Sequence, residues 1–135
     1  MPTIDGTNRP DNLGNSFSVL PNIINAFEGN DTINGGCGDD TINGAKGNDS
    51  LLGGFASDTI DTGRGNNTID SGRGNNTIDS GFDGNDKING GSGDDQIQGG
   101  AGNDTINGVS GNDRIDGGSG DDQIDARFNN DTISL

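Results

Sequence analysis

The sequence predicts an all-β solenoid built from short parallel strands, and three observations support this fold class. Aliphatic residues recur nine positions apart along most of the 135-residue chain. Between them lie mainly Gly, Asn and Asp, with totals of 27, 20 and 21, and these residues favour turns over helices. Only 24% of the residues are hydrophobic and 4% aromatic, too few for an ordinary globular core. A stack of strand-and-turn units accounts for all three observations.

The aliphatic position sets the register of the repeat. Twelve such residues follow one another nine apart, except for one step of ten around Phe82 and Asp83. They are Ile33, Ile42, Leu51, Ile60, Ile69, Ile78, Ile88, Ile97, Ile106, Ile115, Ile124 and Ile133. Two positions earlier each copy carries Asp, apart from Asn67 and Asn76, and four positions earlier ten of the twelve carry Gly. Chance does not produce that register.

The pattern weakens toward the N-terminus. Ile24 lies nine positions before Ile33, and Leu13 lies nine positions after Ile4. We therefore divide the chain into degenerate N-terminal repeats at residues 1–28, which start the solenoid, and a regular array at residues 29–135. The whole chain is then one array of about fifteen units.

Each unit divides into a six-residue turn and a three-residue segment such as TIN, QIQ or RID, which is too short for anything but a strand. Side chains alternate along a strand, so the aliphatic residue points inward while Thr, Asn, Asp and Gln point outward. Two units complete one coil. Roughly seven coils would stack at about 4.8 Å and form two parallel sheets.

The formal net charge of −15 limits the possible partners. Nucleic acid and anionic membrane surfaces would be repelled, so cations are the expected partners. No apolar run is long enough to insert into and span a membrane, and the start MPTIDGTNRPDN lacks the basic and apolar regions of a cleavable secretion signal. Export would need another route, such as type I-like secretion. Cys37 is the only cysteine, so no internal disulfide can staple the fold.

A multivalent cation is expected on physical grounds. One aliphatic side chain per nine residues offers little apolar burial against the conformational entropy of ordering the chain, and stacked aspartates repel one another. Carboxylates and turn carbonyls are hard oxygen ligands, which suit Ca²⁺ better than Mg²⁺. The chain has no His and one Cys, which disfavours zinc, copper and iron, and its only glutamate is Glu28, which excludes an EF-hand loop. Several calcium ions are therefore predicted.

The nonapeptides GGSGDDQIQ and GGAGNDTIN resemble the GGxGxDxUx repeat of RTX calcium-binding proteins, and the resemblance covers residues 29–135. It implies a right-handed parallel β-roll in which calcium ions lie between stacked turns two repeats apart on the same edge. By this resemblance, one turn supplies its Asp and the carbonyls of its second and fourth residues. The next turn on that edge supplies its Asp and the carbonyls of its first and third residues.

Carried onto this chain, the resemblance implies roughly six strong calcium sites and several weaker ones. One site would combine Gly91, Gly93 and Asp95 with Gly108, Ser110 and Asp113. The equivalent pairs are Asp31 with Asp49, Asp40 with Asp58, Asp86 with Asp104, Asp104 with Asp122, and Asp113 with Asp131. The other implied backbone ligands are Gly29, Gly36, Gly38, Gly44, Gly53, Gly84, Gly99, Gly100, Ala101, Gly102, Gly111, Gly117 and Ser119. Weaker ligands are Asn67, Asn76 and Asp11.

Asn67 and Asn76 take the Asp position on opposite edges of the predicted roll. Each of the four sites in which they take part would have one carboxylate instead of two, so these sites are expected to bind calcium more weakly. Arg64 and Arg73 stand in the same turns. Their guanidinium groups either offset neighbouring aspartates, stand in for an ion, or are merely solvated.

An enzyme is not expected from this sequence. It has no His, no nucleophile elbow and no Walker loop, and its turn serines have no candidate base. The function should therefore be a property of a calcium-dependent rod outside the cell.

Three such functions remain open. The first is an extracellular fibre or matrix protein, in which the PTID start of one copy adds to the TISL end of another and exposed Phe55, Phe82 and Phe128 add lateral contacts. The second is a folding and stabilising module of a type I secreted protein, disordered in the low-calcium cytoplasm. The third is ice binding by outward-facing Thr residues, which neighbouring Asp and Gln residues interrupt.

Overall fold

The structure is a computed structural model that describes residues 1–14 and 18–135. These residues form an all-β solenoid of about seven turns, which confirms the predicted fold class. An eight-stranded parallel sheet contains β1 (Thr3–Asp5), β3 (Ile23–Asn25), β5 (Thr41–Asn43), β7 (Thr59–Asp61), β9 (Thr77–Asp79), β11 (Gln96–Gln98), β13 (Arg114–Asp116) and β15 (Thr132–Ser134). A seven-stranded parallel sheet contains β2 (Asn12–Gly14), β4 (Thr32–Gly36), β6 (Ser50–Phe55), β8 (Thr68–Arg73), β10 (Lys87–Asn89), β12 (Thr105–Asn107) and β14 (Gln123–Asp125).

Neighbouring strands in each sheet come from every second repeat, because two repeats complete one coil. Ile42 is in register with Ile60, eighteen residues on. The step from Ile69 to Ile88 is nineteen residues, and these two residues are still in register. The extra residue around Phe82 and Asp83 is therefore accommodated in a turn, as the spacing predicted, and the strand register is preserved.

The core is a double ladder of aliphatic side chains, one from nearly every strand. Three-residue strands of the middle coils, such as β5, β7 and β9, bury their middle residue and expose the two flanking ones, as alternation along a strand requires. The fully buried members are Ile24, Ala26, Ile33, Ile42, Leu51, Ile60, Ile69, Ile78, Ile88, Ile97, Ile106 and Ile115. Ile133 in β15 belongs to the same ladder but is 48% exposed, because β15 is the last strand of its sheet.

The outward faces carry polar side chains, as predicted. On the eight-stranded sheet Thr41, Thr59 and Thr77 stack in register, and Gln96 and Arg114 follow them. The Thr ladder is therefore only three coils long, which gives little support to an ice-binding face. The described residues form no helix that is long and apolar enough to cross a membrane.

The second residue of the turn is Gly in eight of the twelve turns that precede β4 to β15, and adjacent coils approach closely there. In the other four turns this residue also has a positive φ; these residues are Phe27, Ala45, Val109 and Arg127. Gly54 has a φ of +114°, a left-handed conformation that strains residues with a side chain. A Cβ atom at Gly54 would also lie only 2.1 Å from the Gly36 carbonyl oxygen of the coil below. The left-handed backbone and the close approach of the neighbouring turn thus both favour glycine at Gly54.

Candidate metal centre

The turns at the two edges of the roll hold the aspartates that the repeat places before each strand. We number the residues of a turn from one to six, so that residues 53–58 run from Gly53 at position one to Asp58 at position six. The position-six residues of the middle coils are all buried. They are Asp31, Asp40, Asp49, Asp58, Asn67, Asn76, Asp86, Asp95, Asp104 and Asp113. Asp11, Asp122 and Asp131, near the two ends, are half-buried.

One oxygen of each buried aspartate forms a hydrogen bond between coils. Asp58 Oδ1 accepts the backbone N–H of Asp40 at 2.8 Å, and Asp113 Oδ1 accepts that of Asp95 at 2.9 Å. Asn76 Oδ1 accepts the N–H of Asp58 in the same way. The structure therefore brings together the members of every aspartate pair inferred above, each pair joined by one such bond.

The other oxygen of most of these aspartates is buried and has no hydrogen-bond partner. This holds for the Oδ2 atoms of seven described aspartates: Asp31, Asp40, Asp49, Asp58, Asp95, Asp104 and Asp113. A buried carboxylate oxygen without a partner is costly, and native structures contain few of them. A repeated row of such atoms indicates a ligand position for a cation.

A backbone carbonyl of the next turn converges on six of these seven unpartnered oxygens, all except that of Asp31. A Cβ atom built on Gly53 would lie 2.6 Å from Asp58 Oδ2 and 2.6 Å from the Ser71 carbonyl oxygen. The same convergence occurs at five further glycines, with distances between 2.5 and 3.2 Å: Gly35, Gly44, Gly90, Gly99 and Gly108. Because these donors are carboxylate and carbonyl oxygens, they fit the ligand preference of Ca²⁺.

Burial strongly disfavours the charged form of these carboxylates. Desolvation raises the pKa of Asp58 and Asp95 to about 7 and that of Asp49 and Asp86 to about 6. Repulsion from the aspartate of the adjacent coil raises each pKa further, and the hydrogen bond from a backbone N–H opposes the rise. Burial also raises the pKa of Asp104 and Asp113. A bound cation would remove this penalty.

The structure brings some of the predicted backbone ligands together with an aspartate oxygen, whereas others accept hydrogen bonds from backbone N–H groups. At the predicted site of Asp95, the Gly108 carbonyl and Asp95 Oδ2 converge beside Gly90, at 3.1 and 2.9 Å from its built Cβ. The Gly91 carbonyl instead accepts the Ser110 N–H at 3.2 Å, and the Ser110 carbonyl accepts the Gly93 N–H at 2.9 Å. Within residues 1–14 and 18–135, no three Asp, Glu, His or Cys side chains form a group that could hold a metal.

A second hydrogen-bonded ladder lies outside the aspartates, and the sequence reasoning missed it. The side chain at position five accepts a hydrogen bond from the backbone N–H at position five of the next coil. For example, Asn48 Oδ1 accepts the N–H of Asn66 at 2.8 Å. One edge carries Asn30, Asn48, Asn66, Asn85, Asn103 and Asp121, and the other carries Asp39, Ser57, Asn75, Asp94, Asn112 and Asn130. The sequence contains a signal for this ladder, because position five is Asn, Asp or Ser in every one of these turns.

The turns that contain Asn67 and Asn76 differ from most of the others at position one as well. Thr62 and Ser71 replace glycine there, and both side chains are fully buried. Asn67 Nδ2 donates to Thr62 Oγ1 at 3.0 Å, and Asn76 Nδ2 donates to Ser71 Oγ at 3.2 Å. Sequence reasoning noted the two asparagines but not the hydroxyl residues five positions before them.

Asn22 was also missed, although it stands two positions before Ile24. It is buried, and its Nδ2 donates to the Gly35 carbonyl at 3.3 Å and to Asp40 Oδ1 at 2.9 Å. Here an amide itself donates to the position-one carbonyl of the next turn.

Arg73 lies on the surface and does not contact the aspartate row. Its guanidinium carbon is 5.4 Å from the centroid of the Phe55 ring, which is a cation–π geometry. The ion pairs of the described residues lie elsewhere, between Lys46 and Glu28 and between Arg127 and Asp125. Phe55, Phe82 and Phe128 are exposed, as expected, and Cys37 is a free, half-buried thiol.

Comparison with known families agrees with this geometry. A model of the RTX calcium-binding nonapeptide repeat matches the chain in four copies, at residues 22–51, 52–83, 80–113 and 99–133. These matches together span residues 22–133, well over half of the 135-residue chain. No curated protein matches the chain.

Proposed function

Because the chain belongs to the RTX calcium-binding nonapeptide repeat family, we propose that calcium folds it into a structural rod outside the cell. Repeats of this family bind calcium, so the chain is a calcium-binding structural module. One observation carries the proposal: the row of seven buried Oδ2 atoms without a hydrogen-bond partner. Without a cation, each of these atoms would destabilise the folded state.

Two kinds of oxygen would hold calcium at each site. The aspartate at position six would contribute Oδ2, and the next turn would contribute its position-one carbonyl, as Asp58 and Ser71 do beside Gly53. The carbonyls at positions two, three and four remain further candidates by the family pattern. A bound calcium ion would supply the positive charge that offsets desolvation of the carboxylates and repulsion between them. The chain itself fixes the spacing, because the Oδ1 bonds hold adjacent turns in register.

The net charge of −15 supports an extracellular role. In the low-calcium cytoplasm the unneutralised aspartates would keep the chain unfolded and suited to export, whereas millimolar calcium outside the cell would fold it. The same properties suit the alternative role, a folding and stabilising module of a type I secreted protein.

Circular dichroism of the 135-residue polypeptide tests whether folding depends on calcium. In calcium-free buffer we expect a disordered spectrum, in millimolar CaCl₂ a β spectrum, and on addition of EGTA a return to the disordered one. The control is MgCl₂ at the same concentration, which should restore little β structure because Mg²⁺ demands a tighter octahedral geometry and keeps its waters. A β spectrum that persists after exhaustive chelation would contradict the proposal.

A second proposal, head-to-tail assembly into a fibre or matrix, is favoured by the end strands of the two sheets. Among the described strands, β15 pairs only with β13, and β1 pairs only with β3. The free edge of β15 also presents Ile133, which is 48% exposed. Stacking β1 of one copy on β15 of another would extend the sheet and bury this side chain, and because the contact is heterologous it would propagate.

Light scattering coupled to size-exclusion chromatography tests this assembly in millimolar calcium. We expect the polypeptide to form species larger than a monomer, and electron microscopy to show rods. Ile133→Lys should abolish the larger species, because a charge would stand at the stacking edge. The matched control is Val19→Lys, at a residue that is 74% exposed and outside the strands. A persistent calcium-loaded monomer would overturn assembly and favour the stabilising module.

A further inference from the structure

Three consecutive turns in the middle of the roll begin with a hydroxyl residue instead of glycine: Thr62, Ser71 and Ser80. In the first two of these turns, position six is Asn67 or Asn76 instead of Asp. All of these side chains are fully buried, with relative exposures of 0 to 1%. Their chemistry therefore depends on the partners that the fold provides.

On one edge Thr62 and Asn67 form a closed hydrogen-bonded pair. The Thr62 hydroxyl donates to the Ser80 carbonyl of the next turn at 3.1 Å. The Asn67 amide nitrogen donates to Thr62 Oγ1 at 3.0 Å and to the Gly65 carbonyl at 3.1 Å. Each hydrogen of this group thus has an acceptor, and the Ser80 carbonyl has a donor.

On the other edge Ser71 and Asn76 repeat the arrangement one unit later. The Ser71 hydroxyl donates to the Gly90 carbonyl of the next turn. The Asn76 amide nitrogen donates to Ser71 Oγ at 3.2 Å and to the Gly74 carbonyl at 3.1 Å. We call each of these two arrangements a hydroxyl–amide clamp.

The clamps occupy the place where the other turns present unpartnered oxygens. Beside Gly53, Asp58 Oδ2 and the Ser71 carbonyl converge on the point where a Cβ atom would stand. Beside Thr62 the equivalent carbonyl is already hydrogen-bonded, and the side chain facing it ends in an N–H₂ group in place of a carboxylate oxygen. An amide N–H₂ is a donor only and cannot be a ligand of a cation. The residues present therefore do not fit calcium at these two places.

We propose that the two hydroxyl–amide clamps replace calcium, so that no ion binds between turns 62–67 and 80–86 or between turns 71–76 and 90–95. This inference rests on the proposed function, since it requires that the other turns bind calcium. The two sites formed with the preceding turns, Asp49 with Asn67 and Asp58 with Asn76, remain open, because Asp49 Oδ2 and Asp58 Oδ2 have no partner. In the middle of the roll, hydrogen bonds thus hold these two pairs of turns together where calcium would hold the other pairs.

Converting the clamps to the consensus turn tests the proposal by a gain of sites. We would prepare Thr62→Gly with Asn67→Asp, Ser71→Gly with Asn76→Asp, and all four changes together. Native mass spectrometry and calcium titration should show one more bound ion for each double variant and two more for the fourfold variant. The reverse variant, Gly44→Thr with Asp49→Asn, should bind one ion fewer, because it installs a clamp on the same edge.

The matched control is Thr68→Gly with Asn66→Asp, which makes the same exchanges at exposed positions of the same coil. It should leave the number of bound ions unchanged. If the converted variants bind no more calcium than the parent chain while the parent binds several ions, the clamp proposal is wrong and the proposed function stands. If the parent chain binds no calcium at all, the proposed function itself fails.

Discussion

Asp58 Oδ1 accepts the backbone N–H of Asp40 at 2.8 Å, while Oδ2 of the same carboxylate is buried without a partner. One side chain thus does two separate things. Oδ1 holds two coils in register, which any acceptor of the same shape can do. Oδ2 offers a negative charge that a cation or a proton would neutralise. Asn76, whose Oδ1 accepts the N–H of Asp58 at 2.9 Å, performs the first role without the second.

Substitutions at Asp58 should separate these roles. Asp58→Asn keeps the acceptor for the Asp40 N–H and removes the charge, whereas Asp58→Ala also leaves that buried N–H without a partner. Both substitutions should raise the calcium concentration at the folding midpoint. Asp58→Ala should also lower the free energy of unfolding by about 1–3 kcal/mol, measured by urea unfolding in saturating calcium. The control is Asp61→Asn, which removes one charge at an exposed residue. Equal unfolding free energies for the Asn and Ala variants would contradict the separation.

The stability of the calcium-free roll should fall as the pH rises. Burial raises the pKa of Asp58 and Asp95 in the folded state to about 7, from the ordinary value of 3.8, so the folded state binds more protons than the unfolded state between these values. The stabilising effect of the bound protons is present below pH 3.8 and is lost as the pH rises through about 7. With calcium the dependence should reverse, because protons compete with the ion for the same oxygens.

Circular dichroism at pH 5 and pH 8 checks this sign. The polypeptide is stripped on a chelating resin, because EGTA itself loses calcium affinity in acid. We expect more β structure at pH 5 than at pH 8 without calcium, and a lower calcium midpoint at pH 8 than at pH 5. The same slope with and without calcium would show that the buried aspartates do not control folding.

Much of the fold follows from the sequence because the period is so regular. A nine-residue spacing of Ile33, Ile42 and their successors leaves room for one short strand and one turn, so strand positions and the inward face could be predicted. The ten-residue step near Phe82 was also assigned correctly to a turn, because strand register tolerates no slip.

The candidate site was only partly predictable. The aspartates and their pairing follow from the nine-residue period. Which carboxylate oxygen accepts a hydrogen bond and which one is left for a cation depends on contacts with residues eighteen positions away. The role of Thr62 likewise depends on its neighbours in space. From the sequence alone a hydroxyl residue in a turn indicates only a turn, and its hydrogen bond to the Ser80 carbonyl is visible only in the structure. Such contacts arise only when the coils are stacked.

The aliphatic ladder should contribute to stability as an ordinary core does, although calcium is expected to control folding. Ile60 is 1% exposed, and Ile60→Ala should cost about 2–5 kcal/mol while Ile60→Val should cost about 0.5–1.5 kcal/mol. Leu52→Ala is the control, because Leu52 is 38% exposed, and it should change stability by less than about 0.5 kcal/mol. Urea unfolding in saturating calcium measures all three. A loss at Leu52 as large as that at Ile60 would contradict the assignment of the inward face.

Ala56→Gly should stabilise the roll, although it removes a methyl group. Position four of the turn is Gly in most repeats, and Ala56 stands there with a φ of +86°, a left-handed conformation that costs residues with a Cβ about 1–2 kcal/mol. Glycine removes this strain but gains entropy in the unfolded chain, worth about 0.4–1 kcal/mol, so a net stabilisation of up to about 1.6 kcal/mol remains. Ala101→Gly is the matched control, because Ala101 has no positive φ and should lose stability by the entropy term alone. Urea unfolding in saturating calcium should therefore give effects of opposite sign at the two alanines, and a loss of stability at both would show that Ala56 is not strained.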